Sequence, residues 1–162
     1  VVTQVAEDTK LTAIGGQSRS IAEWTTTFQL LTVVLDPYTE QSAWLLETAG
    51  RVLANFRGAD VRTAWTVCAD EQDAKRFLGP WADEYLTFVD PKRELVDALS
   101  IEKLPALVYV RQDLAVVGQV EGWNPEEWER LGQLVGKVNS WSYPKLPAPG
   151  DPGPFEGSPA KG

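Results

Sequence analysis

Apolar and polar positions along this chain change period several times, and each change marks an element. From Leu30 to Leu35 the residues are apolar except Thr32, and the run stops at Asp36-Pro37, which predicts a short strand buried on both faces. Beyond the turn, Leu45, Ala49, Val52, Leu53 and Phe56 share one stripe and Gly58 follows, which predicts a helix and its stop. Val61 to Cys68 reads as a second strand, with Val61, Thr63, Trp65 and Val67 on one face and Arg62, Ala64, Thr66 and Cys68 on the other. Asp70 opens a short helix carrying Ala74, Phe77 and Leu78, which Gly79-Pro80 ends.

Tyr85 to Val89 predicts a third strand. It runs into "DPKRELVDALSI", where Asp90 can cap a helix, Pro91 can take its first position, and Leu95, Val96 and Leu99 form the buried stripe. After Pro105, "ALVYV" and "AVVGQV" flank "RQDL", a spacing that suits an antiparallel hairpin. The last helix starts at Asn124-Pro125 and buries Trp128, Leu131, Leu134, Val135 and Val138. Residues 1–27 show little periodicity beyond a helical turn at Ser20 to Trp24. From Ser142 onward the sequence carries six prolines and four glycines, too many for a regular element. The expected organisation is an extension over 1–27, one domain over 28–141 and a Pro/Gly-rich tail over 142–162. Strands alternating with helices imply parallel pairing through right-handed crossovers, and the final hairpin adds antiparallel strands.

Composition narrows the chemistry. With 162 residues, 43% of them hydrophobic, the chain is long enough for one domain with a proper core. A net charge of -8 argues against nucleic acid, whose binding requires basic groups to displace counterions. There is no histidine and a single cysteine, Cys68, so an internal disulfide and a Cys/His metal cage are both excluded, and no metal or cofactor is expected. No apolar run reaches the ~18 residues of a membrane span, so no direct membrane insertion is expected and a cytoplasmic location is the simplest expectation. The chain opens on Val1 rather than Met, which implies processing or trimming and leaves a removed leader open.

Three segments resemble the thioredoxin-like superfamily, in particular its thiol reductases related to TlpA and the peroxiredoxins. "LLTVVLDPYTEQSAWLLETAGRVL" sits where that family has its central strand, active-site turn and long helix; "FVDPKRELVDALSIEKLPALVYV" resembles its aspartate, short helix and Pro-strand stretch; "AVVGQVEGW" resembles its last strand and following glycine. The resemblance covers roughly Leu30 to Trp141. It implies a three-layer α/β/α sandwich with a mixed, mainly parallel sheet closed by an antiparallel hairpin. It also implies a cis Leu104-Pro105 bond facing the active-site turn, whereas the residues alone allow a trans proline beginning an edge strand.

The departure from the family is at the turn. The family places a Cys-x-x-Cys pair at the helix start, where the dipole stabilises a thiolate; here those positions fall within Thr39 to Ala43. Pro37, Thr39, Glu40, Gln41 and Ser42 make a degenerate turn in which Thr39 can cap and Glu40 meets the positive end of the dipole. Pro37, Thr39 and Ser42 also follow the order of the peroxiredoxin Pro, Thr and Cys, but a serine without a nearby base is a poor nucleophile. Cys68 falls at the carboxyl end of a central strand, where ligands of open α/β sheets collect; it is either a displaced thiol centre or a small buried hydrophobe, and Asp70 and Glu71 favour the second. Among the tryptophans, Trp44, Trp65, Trp128 and Trp141 sit at or near core stripes, while Trp81 and Trp123 adjoin turns and are the better surface candidates.

The expected function is therefore that of a redox-inactive, protein-binding module: an adaptor, assembly factor, chaperone or complex subunit. Cysteine-free members of the family act in this way, and the family's cis-Pro loop pairs with an extended chain through backbone hydrogen bonds. The alternative is a thiol-dependent oxidoreductase or peroxidase-like enzyme using Cys68 or an external thiol. In the tail, Tyr143, Leu146 and Phe155 are the apolar anchors expected to hold a protein partner rather than the chain's own domain.

Overall fold

In the computed structural model, which describes residues 2–161, the chain begins with a hairpin of β1 (Lys10–Ala13) and β2 (Ser18–Ser20), then the short helix α1 (Ile21–Trp24). Ser20 starts α1 through a capping box, accepting from the Glu23 amide while the Glu23 carboxylate accepts from the Ser20 amide. There follow β3 (Gln29–Leu35), α2 (Glu40–Trp44), α3 (Leu46–Asn55), β4 (Val61–Val67), α4 (Glu71–Leu78), α5 (Trp81–Glu84), β5 (Leu86–Val89) and α6 (Glu94–Ala98). The chain then makes β6 (Lys103–Leu104), β7 (Ala106–Val110), β8 (Val116–Glu121), α7 (Pro125–Asn139) and a late two-residue strand, β9 (Ser158–Pro159).

Seven strands form one mixed sheet in the order β2-β1-β5-β4-β3-β7-β8. Its centre is parallel, β3 with β4 and β4 with β5, and antiparallel pairs enlarge it on both sides. Strand alternation distributes the side chains between two cores. Leu31, Val33 and Leu35 of β3 pack with Leu45, Ala49, Val52 and Leu53 around α3 and with Trp128, Leu131 and Val135 of α7. Leu30 and Val34 point the other way, toward Ile21 and Trp24 of α1 and Leu95 and Val96 of α6. The three layers expected of the chain follow directly: helices, sheet, helices.

Several local expectations change. The long helix after the turn is interrupted at Leu45, which ends α2 and precedes α3; Leu45 takes the buried position and leaves Trp44, expected in the core, 56% exposed. Helix α6 starts at Glu94 rather than at Pro91, behind Arg93 in a left-handed conformation (φ 56°). Asp90 still serves that start, accepting from the amides of Glu94 and Leu95 at 2.8 and 3.0 Å. Residues expected to form an extension instead complete the domain, since β1 pairs with β5 and α1 buries Ile21 and Trp24. Val1 and Gly162, the outer ends of the expected extension and tail, lie outside the described residues.

The tail departs most. Its backbone cannot make long ladders, yet it is tied to its own domain along its length rather than left for a partner. Leu146 is buried, and its amide donates to Glu129 Oε1 at 2.9 Å. Asp151 accepts from Arg51 through both oxygens, at 2.9 and 2.7 Å, and from Thr48 Oγ1 at 2.7 Å. Phe155 exchanges backbone bonds with Trp123 at 2.8 and 3.0 Å. Tyr143 alone of the three expected anchors stays exposed. The tail also explains Trp123: a surface candidate by sequence, it is buried because Pro152 lies over it and accepts from its indole N–H at 2.8 Å. Trp141, expected in the core, is 40% exposed beyond the left-handed Ser140 that ends α7.

Candidate functional site

From Leu30 strand β3 is apolar except for Thr32 until Asp36, where the chain must turn at Pro37, and Asp36, Thr39 and Ser42 hold the turn through their polar groups. The Asp36 amide donates to Ser42 Oγ at 3.0 Å, and the Tyr38 amide donates to Asp36 Oδ1 at 2.9 Å. Thr39, expected to cap α2 with its side chain, does not; its hydroxyl donates instead to the Asp36 carbonyl at 3.1 Å. Ser42 is fully buried as the acceptor of that backbone amide, so its oxygen is a structural anchor. Glu40 is exposed in the first turn of α2, and Gln41 presents a buried Oε1 without a partner. Pro37 is half-buried.

Besides Glu40, the large exposed side chains here are aromatic. Tyr38 is 65% exposed and donates its hydroxyl to Asp73 Oδ2, and Trp44 stands edge-on to Phe155 with ring centres 5.8 Å apart. Neither was marked as functional by sequence. The available signal was two large apolar side chains beside a turn, which are read as core by default.

Cys68 lies one residue beyond β4 and donates its amide to the Leu35 carbonyl at 2.9 Å, so the topology does bring it to the sheet edge that carries the turn. It is only 3% exposed. Burial pushes its thiol up to about 12, helped by the carboxylates of Asp90 and Asp36 and opposed by Arg93. Asp90, itself raised by burial against the pull of three backbone amides, is a helix-holding carboxylate rather than a proton shuttle in an open cleft. Arg93 reaches across with Nη2 on Asp36 Oδ2 at 2.9 Å and Nη1 on the Ala160 carbonyl. Asp36 and Arg93 escaped the sequence reading; an aspartate closing a buried strand was their one visible mark.

The Leu104–Pro105 bond is cis. Val34 pairs with Ala106, and continuing that register sets Pro105 across from Leu35, at the end of the strand that leads into the turn. The turn, Cys68 and the Leu104-Pro105 segment thus occupy one edge of the sheet. The tail anchors Leu146 and Tyr143 do not join them, while Phe155 approaches through Trp44. Among the described residues no cluster of three or more Asp, Glu or Cys side chains is arranged to hold a metal, and no helix is long and apolar enough to cross a membrane.

No family model and no curated protein matches this sequence. Solved structures do. A putative thiol:disulfide interchange protein DsbE from Chlorobium tepidum superposes with a TM-score of 0.69 at 16% identity, over 84% of this chain and 96% of that one. The fold is thioredoxin-like. The thioredoxin domain of a thiol-disulfide oxidoreductase from Bacteroides vulgatus gives 0.66 at 14% identity, over 86% of this chain and 99% of that one. A hypothetical protein from Sinorhizobium meliloti gives 0.68 at 11% identity over 99% and 95% of the two chains. At these identities the thioredoxin-like likeness establishes architecture, while function rests on the groups at the sheet edge.

Proposed function

We propose that this chain is a protein-binding module that uses a thioredoxin-like scaffold without thiol chemistry. The observation that carries this reading is the use of the turn's own groups: where a redox turn needs a free nucleophile, Ser42 is buried and accepts the Asp36 amide. Cys68 supports the same reading, being buried and held in its neutral form. Tyr38 and Trp44 flank the turn as exposed, rigid aromatic surface, the residue type that most often carries binding energy at protein interfaces.

The test pairs capture with chemistry. A partner retained by the intact chain should be lost with Tyr38→Ala and Trp44→Ala combined, while insulin reduction and peroxide consumption stay at background. Turnover abolished by Cys68→Ala would contradict the reading, as would capture indifferent to both aromatic changes.

A further inference from the structure

Strand β6 has two edges, and the chain treats them differently. On one side the Glu121 carboxylate accepts from the amides of Glu102 and Lys103 at 3.1 and 2.9 Å, a fixed side-chain cap. On the other side β9 pairs antiparallel, Lys103 with Pro159 and Leu104 with Ser158, and the Ala160 amide donates to the Glu102 carbonyl at 2.9 Å. The edge just before the cis-proline is therefore filled by an extended segment of the same chain.

What receives this segment is more elaborate than what it contributes. Arg93 sits in a left-handed conformation unusual for a side-chain-bearing residue, and aims one nitrogen at the Ala160 carbonyl while the other is neutralised by the buried Asp36. Ala160 is 1% exposed and shares an apolar cluster with Cys68, Leu95 and Leu104, so only a small side chain fits there. At the next position Lys161 meets Asp97 at 3.0 Å. By contrast, Ala160 is the only buried residue among 156–161, and most of the other contacts are backbone bonds that any extended chain makes. Between the segment and the domain runs an open groove of about 580 Å³, lined by Glu121, Glu127 and Lys103 of the domain and by Phe155 and Glu156 of the segment itself.

We propose that residues 155–161 are a displaceable strap, and that the edge they occupy accepts an extended polypeptide of the same chemistry, a small residue followed by a basic one. The inference rests on the binding-module reading and adds the chemistry of the partner. Asp97, which meets Lys161, the domain's own Glu121 and Glu127 beside the edge, and the net charge of -8 suit a basic partner chain. In the free chain the strap wins because it is tethered and competes at high effective concentration.

Gly157 offers a way to eject it. Its φ is +94°, and a Cβ there would stand 2.8 Å from the Leu104 carbonyl oxygen and 3.2 Å from Gly122 Cα, so Gly157→Val cannot keep the docked path. The probe is a labelled peptide with the sequence of residues 155–161, titrated into the full chain. Gly157→Val should bind it about tenfold or more tightly than the parent chain, and a peptide carrying Ala160→Trp should bind about tenfold more weakly. Equal binding to both chains, or indifference to Ala160→Trp, overturns the strap. If Gly157→Val fails to fold, hydrogen exchange on the parent chain decides: the Ala160 amide should exchange about a hundredfold faster than the Leu146 amide, and equal protection overturns displacement. Insulin turnover would remove the binding-module reading and leave the peptide result standing, whereas failed peptide binding without turnover removes the strap alone.

Discussion

The two halves of the tail share a composition and differ in how they are held. Residues 142–152 are anchored chiefly by their own side chains, Leu146 in the core that faces α7 and Asp151 in the fork of Arg51, with the Ser142 carbonyl also accepting from Asn55 Nδ2 at 3.0 Å. Residues 155–161 are held mainly through backbone, with Arg93 and Asp97 gripping from the domain side. Proline and glycine fix how little ladder a segment can make, and the contacts of a few intervening residues fix whether it is a clamp or a strap.

That contrast is most sharply broken at Leu146. Leu146→Ala should cost about 2–3 kcal/mol and lower the thermal midpoint by roughly 5–10 °C, because it removes buried apolar volume from the main core. A midpoint shift under about 2 °C would show that the first half is no better anchored than the second. Asp151→Ala should follow with about 2 kcal/mol, discounted because Arg51 is 41% exposed and rehydrates easily.

The same carboxylate gives a pH signature. Burial alone would raise Asp151, but the Arg51 guanidinium, the Ala148 amide and the Thr48 hydroxyl outweigh it and hold the carboxyl below the ordinary aspartate range. A group lowered on folding stabilises fully above its unfolded value and loses that contribution as pH falls through its folded value. Acid titration of stability should therefore be shallower in Asp151→Ala than in the parent chain below about pH 4; parallel curves would remove the clamp. Gly157→Val should have the smallest effect, about 1.5 kcal/mol, since the loss is the docking free energy of the strap and matches the tenfold gain in peptide binding. A cost as large as that of Leu146→Ala would make the strap structural.

Much of the fold was legible because it depends on period. The alternation of β4 placed Val61, Trp65 and Val67 opposite Ala64 and Cys68, and the two cores divide along that line. The capping residues Asp70 and Asn124 marked the starts of α4 and α7, each accepting from the amide three residues on, at 2.8 and 3.3 Å. Long-range partners have no such period. Nothing near Asp151 in sequence reveals Arg51, and nothing near Arg93 reveals Asp36 or Ala160. The hydrophobic stripe of the long helix placed Leu45 inward, yet Trp44 could be read outward only once the break between α2 and α3 was known. Trp123 was misread for the complementary reason: its cover comes from a tail expected to hold a partner rather than its own domain.

At the turn itself, hydroxyls and a carboxylate bind backbone, and the single sulfur lies buried near the carboxylates of Asp90 and Asp36. The central claim is that this sulfur takes no part in chemistry at neutral pH, and the rate at which Cys68 reacts with a small thiol probe in the native chain measures it directly. A thiol pushed from its ordinary value up to about 12 and buried should react at least about a thousandfold more slowly than free cysteine at pH 7, with the rate recovering on denaturation. Native reactivity equal to or above that of free cysteine would contradict the account.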